Sequence, residues 1–281
     1  MANRRRAGFW LGRAVVVFGL TLYVLLSMGP VFWMVLSSFM EQQALISRPP
    51  DFSPASFTFA NIVEVFGAAK ALGSGLLNSF IVASFTTALA ILIGAPAAYA
   101  LARLSVPGAN PILLIVLASQ MFPAIVIAIP LFILMARLGL VDTRLSLIIV
   151  YLSFNLPIAI WILRSFFLAI PRDLERAAAV DGATVPQIFR LIVLPISLPP
   201  LFATAVFAFI ESWNEFLFAL ILTRRNAGTV PLAISQFAGQ YQTVFGQMMA
   251  AALMSVLPVV LLAILFRHTI MKGFAEGMTK G

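Results

Sequence analysis

The residues able to do chemistry are sparse, and most sit inside apolar runs. Glu211 and Glu215 stand four apart in the run 197–222, so a helix there places both carboxylates on one face. An ionised carboxylate near the centre of a bilayer costs roughly 2.5–3.5 kcal/mol on insertion scales. A helix carrying two of them points them into protein or into a wet cavity. Trp213 and Asn214 lie between, on neighbouring faces. Carboxylates and amides hydrogen-bond hydroxyl groups, and an indole offers an apolar platform. Some of Glu211, Trp213, Asn214 and Glu215 are therefore predicted to line a passage. The alternative is hydrogen bonding between helices, with Trp213 at the lipid interface. Asn78, Gln120 and Asn155 are further polar residues in apolar runs, either lining the same passage or joining helices.

Other chemistries find no residues to carry them. There is no cysteine, which excludes disulfides, thiolate metal sites and cysteine nucleophiles. His268 is the only histidine and cannot build a histidine-rich metal centre, and no nucleophile–histidine pairing is seen in the sequence. No Gly-x-x-x-x-Gly-Lys-Ser/Thr loop is present, so no ATP site is expected in this chain. The net charge is +8, but no basic stripe interleaved with exposed aromatics is seen, and nucleic acid is not an expected partner.

The elements that must position these residues follow from composition. Hydrophobic residues make up 62% of the chain and charged ones 10%, against about 25% charged in soluble domains. So few polar residues could not cover a soluble core of this size, whereas a bilayer accepts an apolar exterior. Six runs are long enough to span, at roughly 14–39, 76–102, 111–136, 146–169, 197–222 and 247–267. The stretch Ala14 to Leu36 carries no charge over 23 residues, longer than a signal-peptide core, and reads as an uncleaved first span. Pro30, Pro96, Pro123, Pro130, Pro157 and Pro258 fall within spans. They mark either kinked helices around a central path or ordinary membrane-helix prolines.

With the N-terminus inside, the inner segments hold Arg4, Arg5, Arg6, Arg13, Arg103, Arg164, Arg172, Arg176, Arg190, Arg267, Lys272 and Lys280. The outer ones hold Arg48, Lys70, Arg137, Arg144, Arg224 and Arg225. This two-to-one bias places both termini in the cytoplasm. The expected organisation is a cytoplasmic segment 1–13, a six-helix domain 14–267 and a cytoplasmic tail 268–281. Within the domain, 40–75 and 223–246 are outer loops and 170–196 is an inner loop.

That inner loop is the most patterned part of the chain. Pro171 and Asp173 suit a helix start, with Asp173 and Glu175 at the positive end of its dipole. Gly182 suits a left-handed terminating position. Thr184 with Gln187 forms a capping-box pattern, and Pro186 falls in the first turn. Two short helices with a tight turn are predicted. Leu174, Ala177, Ala178 and Asp181 share one mostly small face, which lets another surface approach closely. A helix this short is marginal alone and is expected to dock.

The run Glu175-Arg176-Ala177-Ala178-Ala179-Val180-Asp181-Gly182-Ala183, with Phe189 and Leu194-Pro195, resembles the signature loop of permease subunits in binding-protein-dependent ABC importers. Met121-Phe122-Pro123, Ile129-Pro130-Leu131, Leu138 to Thr143, Phe166 to Pro171, Trp213-Asn214-Glu215-Phe216 and the tail Gly273 to Gly281 are similar to the carbohydrate-uptake branch. Phe57 to Asn61 extends the similarity, which resembles the smaller permease of maltose-type importers. One departure stands out: the family's glutamate six residues before the glycine is Arg176 here, next to Glu175.

The resemblance implies an all-α membrane protein of six transmembrane helices in a bacterial inner membrane. It implies a second, non-identical permease, two ATPase subunits that hold ATP and Mg, and an extracytoplasmic binding protein that delivers a sugar. No cofactor is implied in this chain. The loop residues Asp173, Leu174, Glu175, Arg176, Ala177, Ala178, Asp181, Gly182, Ala183, Phe189 and Pro195 would couple to the ATPase. The tail, through Gly273, Gly277, Lys280 and Gly281, would touch it too, as an irregular segment shaped by its partner. The rival readings are a self-sufficient secondary transporter or channel, and a membrane enzyme.

Overall fold

A computed structural model of the chain describes residues 2–67, 69–239 and 243–278, with side chains at 13–67, 72–239 and 243–267. Every named element is helical. In chain order these are α1 Ala2–Ser38, α2 Gln42–Ile46, α3 Ala60–Gly67, α4 Ala69–Arg103, α5 Ala109–Ala118, α6 Ala124–Arg137 and α7 Arg144–Ala169. They continue as α8 Arg172–Val180, α9 Val185–Ile188, α10 Leu194–Ile196, α11 Leu198–Asn214, α12 Leu217–Leu222, α13 Val230–Ser235 and α14 Phe245–Met278. Among the described residues four helices are long and apolar enough to cross a membrane, and up to six spans result if each of two bent pairs counts as one. The chain is an integral membrane protein.

The breaks have local causes. The third predicted span is α5 and α6, bent by 95°. Pro123 forces Phe122 out of the helical region to φ −73°, ψ 125°, and α6 starts afresh behind it. The fifth predicted span, 197–222, is not one helix. The segment Val185–Ile196 meets α11 at 78° through Ser197, with Pro199 and Pro200 just beyond it. α11 then ends at Asn214, because Glu215 is extended at φ −66°, ψ 127°.

Two compact units are present: Met1–Ala69 with Ile234–Val256, and Lys70–Ala233 with Leu257–Gly281. In the first, the expected outer loop 40–75 holds α2, a 3-10 turn at Pro54–Ser56 and α3, and its last residues pass into α4 of the second unit. Asn61 donates to the carbonyls of Ser38 (3.2 Å) and Met40 (2.8 Å), satisfying orphan acceptors past the end of α1. Asp51 takes the N–H of Ser53 and the hydroxyls of Ser56 and Ser53, which hold its carboxyl below the usual range. The span of α1 is exposed along its most apolar window, with none of that window buried.

The second unit carries the functional elements. Its α4 and α7 pack closely because the contact is small: a Cβ at Gly94 would stand 3.5 Å from Ala159 and from Leu156. One core joins Ala95, Ala98, Tyr99, Leu163, Phe167 and Val193; another joins Val82, Met135, Leu147, Tyr151, Phe218 and Leu222. The expected irregular tail is a correction. The helix α14 continues through Gly273 and Gly277 to Met278, since the backbone there meets no proline after Pro258. Lys280 and Gly281 lie outside the described residues.

Candidate functional site

The loop after α7 builds a stiff module from its own sequence. Pro171 leads into α8, whose first turn holds Asp173 and Glu175. The N–H groups of Asp181, Gly182 and Ala183 close back on the carbonyls of Ala177, Ala179 and Ala178 at 3.0–3.1 Å. Gly182 sits at φ +85° with open space around a built Cβ, so its backbone angle, not room, requires glycine. Gln187 Oε1 then accepts the Thr184 N–H and hydroxyl, both at 2.8 Å, completing the predicted capping box of α9. A π-helical stretch, Phe189–Val193, runs on into α10 and Pro195.

This module is fastened to α4. Arg103 Nε stands 2.9 Å from Glu175 Oε1, and Tyr99 donates its hydroxyl to Glu175 Oε2 at 3.0 Å. The Arg103 guanidinium also donates to the Ile170 carbonyl, gripping the linker before α8. Below this polar clasp the Phe189 ring lies 5.0 Å from Tyr99 and 6.3 Å from Phe167, and Tyr99 lies 6.1 Å from Phe167. Ala178 and Ala183 pack against the same core. Leu174, Arg176, Ala177 and Asp181 stay exposed. Sequence reasoning missed Tyr99 and Arg103. Their spacing of four at the end of a span, one aromatic hydroxyl and one cation, was the available signal.

A cavity of about 240 Å³ lies among α7, α11, α12 and the turn after α5. Gln120, Asn155, Glu211 and Glu215 line it, with Tyr151 and Phe154. The two acids reach it from different elements, which corrects the shared helical face. Glu211 is exposed on α11, whereas Glu215 lies past its end and accepts the N–H groups of Phe218 (2.9 Å) and Ala219 (3.2 Å), capping α12. Gln120 Nε2 donates to the Phe154 carbonyl at 3.1 Å, and Asn155 Nδ2 to that of Tyr151 at 2.9 Å. Trp213 and Asn214 are not brought there. Trp213 is 3% exposed and stacks on Phe209 at 5.7 Å. A larger hollow of about 570 Å³ among α4, α11 and α14 is almost wholly apolar and offers little to a polar solute.

Asn78 serves a different place. It donates to the carbonyls of Asn226 (3.0 Å) and Gly228 (2.9 Å) and accepts from Arg144 Nε (2.7 Å). Beside it Asp142, at φ +62°, gathers the backbone N–H groups of Arg224, Arg225, Asn226 and Ala227 at 2.9–3.2 Å. Burial alone would raise the Asp142 carboxyl, but these four donors override it and hold it below its usual value. The connection after α12 is thus pinned to the turn before α7.

Comparison with known proteins places the chain in a family. Residues 90–270 match the family described as binding-protein-dependent transport system inner membrane component. The chain is 37% identical to the trehalose transport system permease protein SugB of Mycobacterium tuberculosis, over 99% of both chains. It is 36% identical to the trehalose/maltose transport system permease protein MalG of Thermococcus litoralis, over 96% of this chain and 98% of that one. Against the sulfoquinovosyl glycerol transport system permease protein SmoH of Agrobacterium fabrum the identity is 33%, over 98% and 96%. The fold matches a chain of a bacterial ABC transporter that imports alginate, with TM-score 0.75 and 23% identity over 94% and 97% of the two chains. Family match, full-length relatives and fold agree: the chain belongs to the inner-membrane components of binding-protein-dependent transport systems.

Proposed function

We propose that this chain is one permease subunit of an ATP-driven importer that takes up a carbohydrate handed over by an extracytoplasmic binding protein. The observation that carries the reading is the clasp of Arg103 and Tyr99 on Glu175, which makes α8 and α9 a rigid extension of α4. A rigid connector lets motion at a cytoplasmic ATPase re-aim helices around a path, switching it between two states. The relatives named for trehalose, trehalose/maltose and sulfoquinovosyl glycerol support a sugar or oligosaccharide as solute.

In this reading both termini are cytoplasmic, the membrane is a bacterial inner membrane, and two ATPase subunits hold ATP and Mg. A second, non-identical permease completes the pore. The residues Gln120, Asn155, Glu211 and Glu215 line the solute path, offering acceptors to sugar hydroxyls, and Phe154 supplies an apolar face. The connection pinned by Asp142 and Asn78 faces the binding protein. The tail around Gly273 and Gly277 adds to the ATPase contact.

The test is reconstitution. The chain with its second permease, ATPase subunits and binding protein should import labelled trehalose or maltose into proteoliposomes only with ATP, and a panel of sugars would identify the solute. Uptake by the permease alone would overturn the reading in favour of a self-sufficient carrier.

A further inference from the structure

On the helix α8, Glu175 and the two arginines turn to opposite sides, with Asp173 on the side of the arginines. Glu175 faces the bundle, where Arg103 and Tyr99 occupy its carboxylate, and Ala178 packs beside it. Arg172, Arg176 and Val180, at spacings of four, make the opposite stripe, and all three are exposed. Val180 is 87% exposed, which is costly for a branched apolar side chain unless something covers it. Arg176 has one ion pair among the described residues, with Asp173 at 3.4 Å, where the side chains are 72% and 88% exposed. A pair so open to solvent contributes little and leaves the guanidinium available. Arg172 has no ion pair among the described residues. Glu175 therefore cannot stand in for the acid that Arg176 replaces, since it is already engaged inward.

We infer that the ATPase subunit receiving α8 presents carboxylates to Arg172 and Arg176 beside an apolar pocket for Val180. This rests on the coupling role proposed above and adds the chemistry of the partner surface. Asp173 offsets one of the two exposed cations and leaves Arg172 and Arg176 with a positive balance, so charge complementarity favours acid opposite them. Ala177 and Ala179 flank the stripe with small side chains, which admits a fitted protein groove more readily than a diffuse sheet of lipid headgroups.

The experiment is purification of the whole importer through the tagged permease, counting the ATPase subunits retained. Arg176→Glu should reduce retention at least about tenfold, Arg176→Gln less, and Arg176→Lys least. Replacing the facing ATPase Asp or Glu by Arg should restore retention by Arg176→Glu. Should Arg176→Glu fail to purify, a salt titration of the wild-type complex decides, because an acidic partner requires dissociation to increase as salt rises. Full retention by Arg176→Glu, or indifference to salt, overturns the inference. So does a variant that keeps its ATPase but no longer binds phosphatidylglycerol vesicles, which would assign the stripe to the membrane surface. A wild-type chain that retains no ATPase subunit would instead defeat the coupling role itself.

Discussion

Arg103 and Glu175 meet at 2.9 Å with their side chains 5% and 15% exposed, and this contact ties the last turn of α4 to the first turn of α8. Removing one member of a buried pair strands the other charge, at about 3–5 kcal/mol. Arg103→Ala and Glu175→Ala should each lower the unfolding temperature of the purified complex. The double variant should lose less than the sum, because the two share one interaction. Additive losses would show that the pair does not act as a unit. Tyr99→Phe removes a single hydrogen bond to a charged group, about 1.5–3 kcal/mol, and should fall below either.

Gly182 offers a separate handle on the stiffness of the loop. At φ +85° an alanine Cβ meets no neighbour, so Gly182→Ala should cost only the backbone penalty, roughly 1–2 kcal/mol. Gly182→Asn should cost less, since asparagine tolerates the left-handed region. Thermal unfolding of both variants checks the order; equal losses would point to a steric cause instead.

The two cavity acids should separate in their effects. Among the described residues Glu211 caps no helix, so Glu211→Ala should lower sugar uptake several-fold while the complex stays as stable as wild type. Glu215→Ala also uncaps α12, and should lose about 0.5–2 kcal/mol of stability along with uptake. Wild-type uptake by Glu211→Ala would remove it from the path. Trp213→Ala, by emptying a buried site against Phe209, should destabilise by about 3–5 kcal/mol.

Asp142 predicts a pH dependence with a definite sign. Its carboxyl is held below the usual value in the folded chain, despite a burial contribution in the other direction, by the N–H groups of residues 224–227. The stability it contributes is fully present above the unfolded value, about 3.9, and is lost as pH falls through the lower folded value. Between neutral pH and pH ~5 the wild type should therefore show no change from this group. Asp142→Asn should be less stable at neutral pH, with the gap to wild type closing in strong acid. A gap that does not narrow with acid would mean the carboxylate charge is irrelevant to the pin.

Much of this architecture was legible in the sequence because it is encoded locally. Apolar run length gave the spans, and Pro171, Gly182, Thr184 and Gln187 gave the two helices of the inner loop with their ends. What escaped depends on tertiary direction. That Glu175 turns inward and Arg176 outward follows from how α8 lies on Tyr99 and Phe189, which no spacing rule states. The break at Glu215 was hidden because the run 197–222 is apolar on both sides of it; only the carboxylate's capture of two N–H groups of α12 ends α11 there. Asn78 looked like Gln120 and Asn155 in sequence, yet it holds a loop while they line the cavity. The glycines of the tail promised irregularity, and the helix absorbed them.

The most direct measurement is the number of solute molecules imported per ATP hydrolysed, in proteoliposomes holding the complete importer, for wild type and Glu175→Gln. With the clasp weakened but α8 still able to hold its ATPase, that ratio should fall at least about tenfold while hydrolysis continues. An unchanged ratio, with the variant complex fully assembled, would contradict the claim that the Arg103–Glu175 joint carries mechanical work from the cytoplasm into the bundle.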